Sequence, residues 1–220
     1  MKEFEKELAV LKGRVDGLEA KVGELEATQF STTTKLKGIA TFVLGANSYG
    51  GSNENAADAA RTLEGATAFA YDVRLNFDTS FTGKDLLRTT LRAGNFGDSP
   101  WGGAATVGTN GANLGLNALE VAFQENCGTA DCGDVVAINR LFYQFPIGNG
   151  FTATIGGRVR QDDMLAMWPS VYPADTVLDT FTYAGAPGAY NLNLGAGAGI
   201  WYQKNGWSFS VNYVAANGDV

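Results

Sequence analysis

Six arginines, Arg74, Arg88, Arg92, Arg140, Arg158 and Arg160, and four aspartates, Asp162, Asp163, Asp175 and Asp179, are the side chains whose spacing could do chemistry in these 220 residues. Each arginine falls on the polar side of a segment in which polar and apolar residues alternate. The aspartates share one stretch, Gln161 to Ala189, with Met164, Met167, Trp168 and three prolines. Guanidiniums facing carboxylates across a solvated space impose a field on whatever passes between them. They are not an acid–base pair, because a guanidinium does not give up its proton in proteins. The chain has no histidine, which removes His-based triads, His general bases and nearly every catalytic zinc arrangement. No catalytic residue, metal site or cofactor is assigned.

Cys127 and Cys132 are the only two cysteines, and four residues between them close a tight loop. A disulfide formed in an oxidising compartment is the favoured reading. A metal site would need two more soft ligands, and Asp131 alone does not supply them. Lys plus Arg is 16 against 23 Asp plus Glu, a net charge of −7, so no basic footprint exists for nucleic acid. The N-terminus lacks the basic, apolar and small-residue pattern of an export signal. With everything else pointing to export, the chain is expected to start inside a longer precursor.

The elements that must position the arginines are strands. From Thr67 to Phe81, residues Phe69, Tyr71, Val73, Leu75, Phe77 and Phe81 share one face, while Ala70, Asp72, Arg74, Asn76 and Asp78 share the other. Leu86 to Phe96 sets Leu87, Thr89, Leu91 and Ala93 against Arg88, Thr90 and Arg92. Asp134 to Phe145 sets Leu141, Tyr143 and Phe145 against Arg140 and Gln144. Phe151 to Arg160 sets Phe151, Ala153, Ile155 and Val159 against Thr152, Thr154, Arg158 and Arg160. Lys35 to Ala46, Asn191 to Gln203 and Trp207 to Ala215 complete seven segments. Mean hydropathy is −0.07, and no stretch approaches the roughly 20 apolar residues of a membrane helix. Strands of about 9 to 11 residues with one apolar face are instead what a transmembrane antiparallel β-barrel requires.

Connection lengths agree with a barrel. Thr82 to Asp85, Pro146 to Gly150 and Gln203 to Gly206 are short. The polar segment after Ala46, Gly97 to Gly133 and Gln161 to Ala189 are long, the alternation of periplasmic turns and external loops. Ala118 to Gln124 is read as β structure inside an external loop. Seven strands leave an open edge, which lipid does not tolerate, so further strands are expected in the complete protein. Gly195, Gly197 and Gly199 alternate onto the polar face, where missing side chains would leave room. The segment Gln161 to Ala189 is apolar enough to fold inward, with its carboxylates toward the arginines.

Residues 1–29 follow another period. Leu8, Val15 and Val22 take heptad position a, and Leu11, Leu18 and Leu25 take d, a parallel coiled-coil seam. The flanking charges pair in register, Glu7 with Lys12, Arg14 with Glu19 and Lys21 with Glu26, and none is repulsive. Gly13, Gly17 and Gly23 cost up to about 1 kcal/mol each against Ala, so the helix should not persist alone. The other reading is an amphipathic helix packed on its own domain, which has no need of three matched pairs. Seam composition does not decide between dimer and trimer. The boundary with the β domain, residues 30–220, falls where heptads give way to Ser-Thr-Thr-Thr.

Gln29-Phe30-Ser31-Thr32-Thr33-Thr34-Lys35-Leu36, the run from Val73 to Gly83, and Leu141-Phe142-Tyr143-Gln144-Phe145-Pro146 resemble the cyanobacterial outer-membrane porins. That family is related to carbohydrate-selective porins and often labelled as iron-uptake porins. The resemblance implies a trimer in outer-membrane lipid, passing ions and small solutes, with the stalk in the periplasm. It also implies an S-layer-homology domain, absent from this chain, that grips peptidoglycan-linked polymer. A structural tether with transport incidental is the competing reading.

Overall fold

A computed structural model of the chain describes residues 2–28, 33–97, 99–102, 106–107, 112–113, 117–125, 133–168, 171, 178–181 and 193–218. Helix α1 runs Lys2–Thr28, strand β1 Thr34–Gly45, helix α2 Glu54–Glu64, β2 Ala68–Thr79 and β3 Leu86–Gly94. Two short strands, β4 Thr106–Val107 and β5 Ala112–Asn113, pair with each other. Then follow β6 Ala137–Pro146, β7 Phe151–Arg160, β8 Leu194–Lys204 and β9 Trp207–Ala215.

Seven strands form one antiparallel sheet in the order β1-β2-β3-β6-β7-β8-β9. Among the described residues β1 and β9 do not pair, so the sheet is open at both edges. Chain order and spatial order coincide, which puts every short turn at one rim and every long connection at the other. The tightest turn is Asn205-Gly206, with φ of 53° and 79°. Positive φ at both central residues matches the right-handed twist of the flanking strands, and Asn-Gly adopts it at least cost.

The register makes the sheet two-faced. One row of partners crosses all seven strands: Thr34, Thr79, Leu87, Tyr143, Ile155, Ala198 and Tyr213. The neighbouring row, on the opposite face, runs Leu86, Gln144, Thr154, Gly199 and Asn212. On the first face Phe42, Leu44, Phe69, Ile155, Phe209, Val211 and Tyr213 are all exposed. At the short-turn rim the aromatic rings gather. Tyr143 stacks on Phe145 at 5.3 Å, Tyr202 on Phe209 at 5.3 Å, and Phe151 tilts against Tyr202 at 4.8 Å. No helix among the described residues is long and apolar enough to cross a membrane.

The register shifts in three strand pairs, at Thr90/Leu91, Leu141/Phe142 and Gly156/Val159, and at the last of these a face expected from sequence changes. A register shift between Gly156 and Val159 turns Val159 inward, where it is fully buried with Phe142 and Met164. An extra residue in one strand breaks the alternation locally and re-aims the side chain beside it. Strict alternation had placed Val159 outward. Ala118 to Gln124 is not a strand either. It is a turn carrying one bridge, Leu119 to Leu178. The connection after β1 contains α2, capped by Asn53, whose side chain accepts from the Ala56 N–H. Alanine-rich sequence with few large apolar residues hid that helix.

Along α1, Phe4, Leu8, Val10, Leu11, Val15, Leu18 and Val22 lie exposed. Leu25 is helical, and its side chain lies outside the described residues. So do residues 29–32, where the domain boundary is expected.

Candidate functional site

The polar face of β2, β3 and β6 builds the site. Period-two spacing brings Asp72, Arg74, Asn76 and Asp78 of β2 beside Arg88, Thr90 and Arg92 of β3. Arg88 holds Asp78 in a fork, Nε to Oδ1 at 2.7 Å and Nη2 to Oδ2 at 3.0 Å. Lys37 of β1 reaches the same carboxylate at 3.0 Å. Asp72 takes Arg74 at 2.8 Å and Arg92 at 2.6 Å. The arginines therefore do not form an unbalanced basic wall, because the strands carry acids in the adjoining positions.

Two long connections fold inward over this face. After β7 a 3-10 turn, Gln161–Met164, brings Asp163 to Arg140 at 2.5 Å and Asp162 to Arg160 at 3.0 Å. Asp163 also accepts the Arg160 backbone N–H at 2.9 Å. Met164 is fully buried, and the Ala166 N–H donates to Ser210 Oγ at 2.8 Å. Burial pushes the Asp162 carboxyl above the ordinary carboxylate range, with Asp163 adding to it and Arg160 and Arg140 opposing.

The second inward segment, residues 117–125, comes from the connection between β3 and β6. Its Phe123 ring lies 4.4 Å from the Arg92 guanidinium carbon. Beneath it Phe96, Trp101 and Ala70 form a buried cluster joined by Leu119 and Val121. Sequence reading missed this segment as an inward one. Its signal was there in Trp101, Leu119, Val121 and Phe123, too many apolar residues for a loop in water.

Between wall and segments lies a cavity of about 230 Å³, lined by Arg74, Arg88, Arg92, Arg140, Arg160, Glu120, Asp162 and Asp163 with polar neighbours. Five of the six expected arginines and two of the four expected aspartates meet there. Asp179 borders the adjoining space beside Arg92, Arg140 and Arg160. Arg158 does not line either cavity and faces Glu125 at 3.5 Å, the bulge at Gly156–Val159 having shifted its position. Asp175, Cys127 and Cys132 lie outside the described residues. The glycines of β8 do not leave open space. A Cβ on Gly197 would stand 2.9 Å from Val159 Cγ1, and one on Gly199 3.0 Å from Met164 Sδ.

Two long connections close over the charged face of this two-faced sheet, and the sequence match gives the family. Residues 1–167 match the family described as carbohydrate-selective porin, OprB family. This chain belongs to that family. Among relatives, an uncharacterized protein of Nostoc sp. is 35% identical over 98% of this chain and 36% of its own length. An uncharacterized protein of Synechocystis sp. is 33% identical over 98% of this chain and 36% of its own. The porin chain described here thus spans about a third of the length of these relatives. No solved structure matches it.

Proposed function

We propose that this chain supplies wall and constriction of an outer-membrane channel through which small hydrophilic solutes, carbohydrates first among them, diffuse passively. The observation that carries the reading is the pair of adjacent rows on opposite faces. A row crosses all seven strands that is apolar from Leu87 to Tyr213 and carries Thr34 and Thr79 at its first two strands, and beside it lies a face bearing ion pairs under two inward segments. Lipid suits the first and water the second. The aromatic rings at the short-turn rim suit a membrane interface, and short turns on the periplasmic side, as in outer-membrane barrels, would set the N-terminal helix there too.

The five cavity arginines face Glu120, Asp162 and Asp163 in the lining and Asp72 and Asp78 in the wall. Such balanced donors and acceptors favour neutral polyhydroxyl solutes, while inorganic ions pass in company. Among the described residues no group of His, Cys, Asp or Glu could hold a metal ion, so iron as a cargo draws no support from the geometry. Liposome swelling by the full-length protein with sugars of graded size tests the reading. Swelling rates that fall with sugar size support it, and rates no faster than those of protein-free vesicles oppose it.

The exposed heptad face of α1 favours a self-associating stalk, in a trimer of barrels or a dimer. A tether to peptidoglycan-linked polymer, through an S-layer-homology domain of the kind the resemblance implies, is compatible with the same stalk.

A further inference from the structure

The turn after β7 is held by an apolar peg rather than by its charges alone. Met164 ends the 3-10 turn that carries Asp162 and Asp163, and none of its surface reaches solvent. It is packed with Phe142 and Val159 and stands over β8, where Gly199 faces it. A Cβ at Gly199 would lie 3.0 Å from Met164 Sδ, 3.2 Å from Met164 Cβ and 2.8 Å from Asn212 Cβ. The last contact asks the neighbouring strand to give, and the two contacts to Met164 ask the methionine to give as well. Gly199 sits in the same row as Thr154 and Asn212, on the face that otherwise carries side chains toward the interior. The site is thus an apolar socket on a polar face, filled by one side chain from a segment with no strand pairing of its own.

We propose that Met164, seated against Gly199, is a positioning residue that sets the charge selectivity of the channel by holding Asp162 and Asp163 against Arg160 and Arg140. This rests on the porin reading above. The two carboxylates precede the peg by two residues and one, so loss of the peg frees the turn. The Arg160–Asp162 contact is an ion pair at 3.0 Å without the alignment of a hydrogen bond, and Asp163, through the Arg160 N–H and Arg140, ties the turn only to its own strand end and to β6, so these contacts do not seat it against β8. Interior packing does, because a close-packed side chain has few alternative positions.

The test is the reversal potential of the full-length protein in planar bilayers under a KCl gradient. Met164→Ala lets the carboxylates leave the constriction while the wall arginines stay. Conductance should rise, and the permeability ratio should move toward chloride by about twofold per carboxylate displaced, given a charge about 8 Å from the ion path in water. Met164→Leu should keep the wild-type ratio. Asp162→Asn with Asp163→Asn should give the same shift in the wild type and little more in the Met164→Ala background, since both act on one feature. Gly199→Ala should shift the ratio in the same direction, and it decides the question if Met164→Ala does not fold. A folded Met164→Ala or Gly199→Ala channel with the wild-type ratio overturns the inference alone. A wild-type protein that carries no current overturns the porin reading as well.

Discussion

Arg74 and Arg92 stand directly opposite each other across β2 and β3, and one carboxylate, Asp72, binds both, at 2.8 Å and 2.6 Å. Like charges facing across a strand pair repel. Asp72, 1% exposed, makes the arrangement tenable. Asp72→Asn should therefore destabilise the folded protein by about 3 to 5 kcal/mol, the usual effect of leaving a buried charge without its partner. Denaturant unfolding followed by tryptophan fluorescence checks this, and Asp72→Glu should recover part of the loss.

Arg88 is a third exposed and holds Asp78 alongside Lys37. Arg88→Glu replaces one cation on the cavity wall by an anion without emptying the buried Asp72 site. The reversal potential of the full-length channel should move toward cations at low salt. It should move less at 1 M, where the Debye length falls to about 3 Å.

Asp162 is held above the ordinary carboxylate range by burial, so it takes up a proton at higher pH than an exposed aspartate. Asp163, Arg140, Arg160 and Glu120 surround it. As pH falls toward the normal aspartate value, about 3.9, the channel should lose one fixed negative charge early and shift toward anions. Asp162→Asn should abolish the early part of that shift. For stability the sign is opposite to that of a salt-bridged acid. The native state binds this proton more tightly than the unfolded chain, so protonating Asp162 favours folding as pH falls from the raised value to the ordinary one.

Asp85 behaves in the reverse sense. It accepts from the Thr82 hydroxyl at 2.6 Å, the Thr82 N–H at 2.7 Å, the Ser80 hydroxyl at 2.9 Å and the Tyr143 hydroxyl at 2.8 Å. These hydrogen bonds, the Thr82 hydroxyl first, hold its carboxyl well below the usual range. The stability it contributes is present above the unfolded value near 3.8 and is lost as pH falls from there toward the folded value. Thermal unfolding at pH 7 should show Asp85→Asn less stable than wild type, and the gap should narrow progressively below pH 4.

The arginines were legible in the sequence because period-two alternation needs only local order. Strand order was legible because short and long connections alternate. Bulges are not local in this sense. Nothing in Phe151 to Arg160 marks the extra residue that turns Val159 inward and takes Arg158 from the cavity. The inward path of residues 117–125 depends on Trp101 and Phe96 packing over Ala70, contacts between residues far apart in sequence. The glycines of β8 were seen as space, but what fills the space, Met164 and Val159, follows only from the tertiary register.

The stalk offers an independent test. Val15→Asp with Val22→Asp places two charges per helix in the proposed seam. Chemical cross-linking of the full-length protein should show fewer stalk-linked oligomers, with the β domain still folded. Unchanged cross-linking would mean that α1 does not associate through Leu8, Leu11, Val15, Leu18, Val22 and Leu25.

The most direct measurement is single-channel current of the full-length protein in a planar bilayer. A water-filled passage predicts discrete, steady steps that vary linearly with voltage and shrink as a neutral sugar small enough to enter is added. A correctly folded, membrane-inserted protein that gives no steps at any voltage contradicts the account.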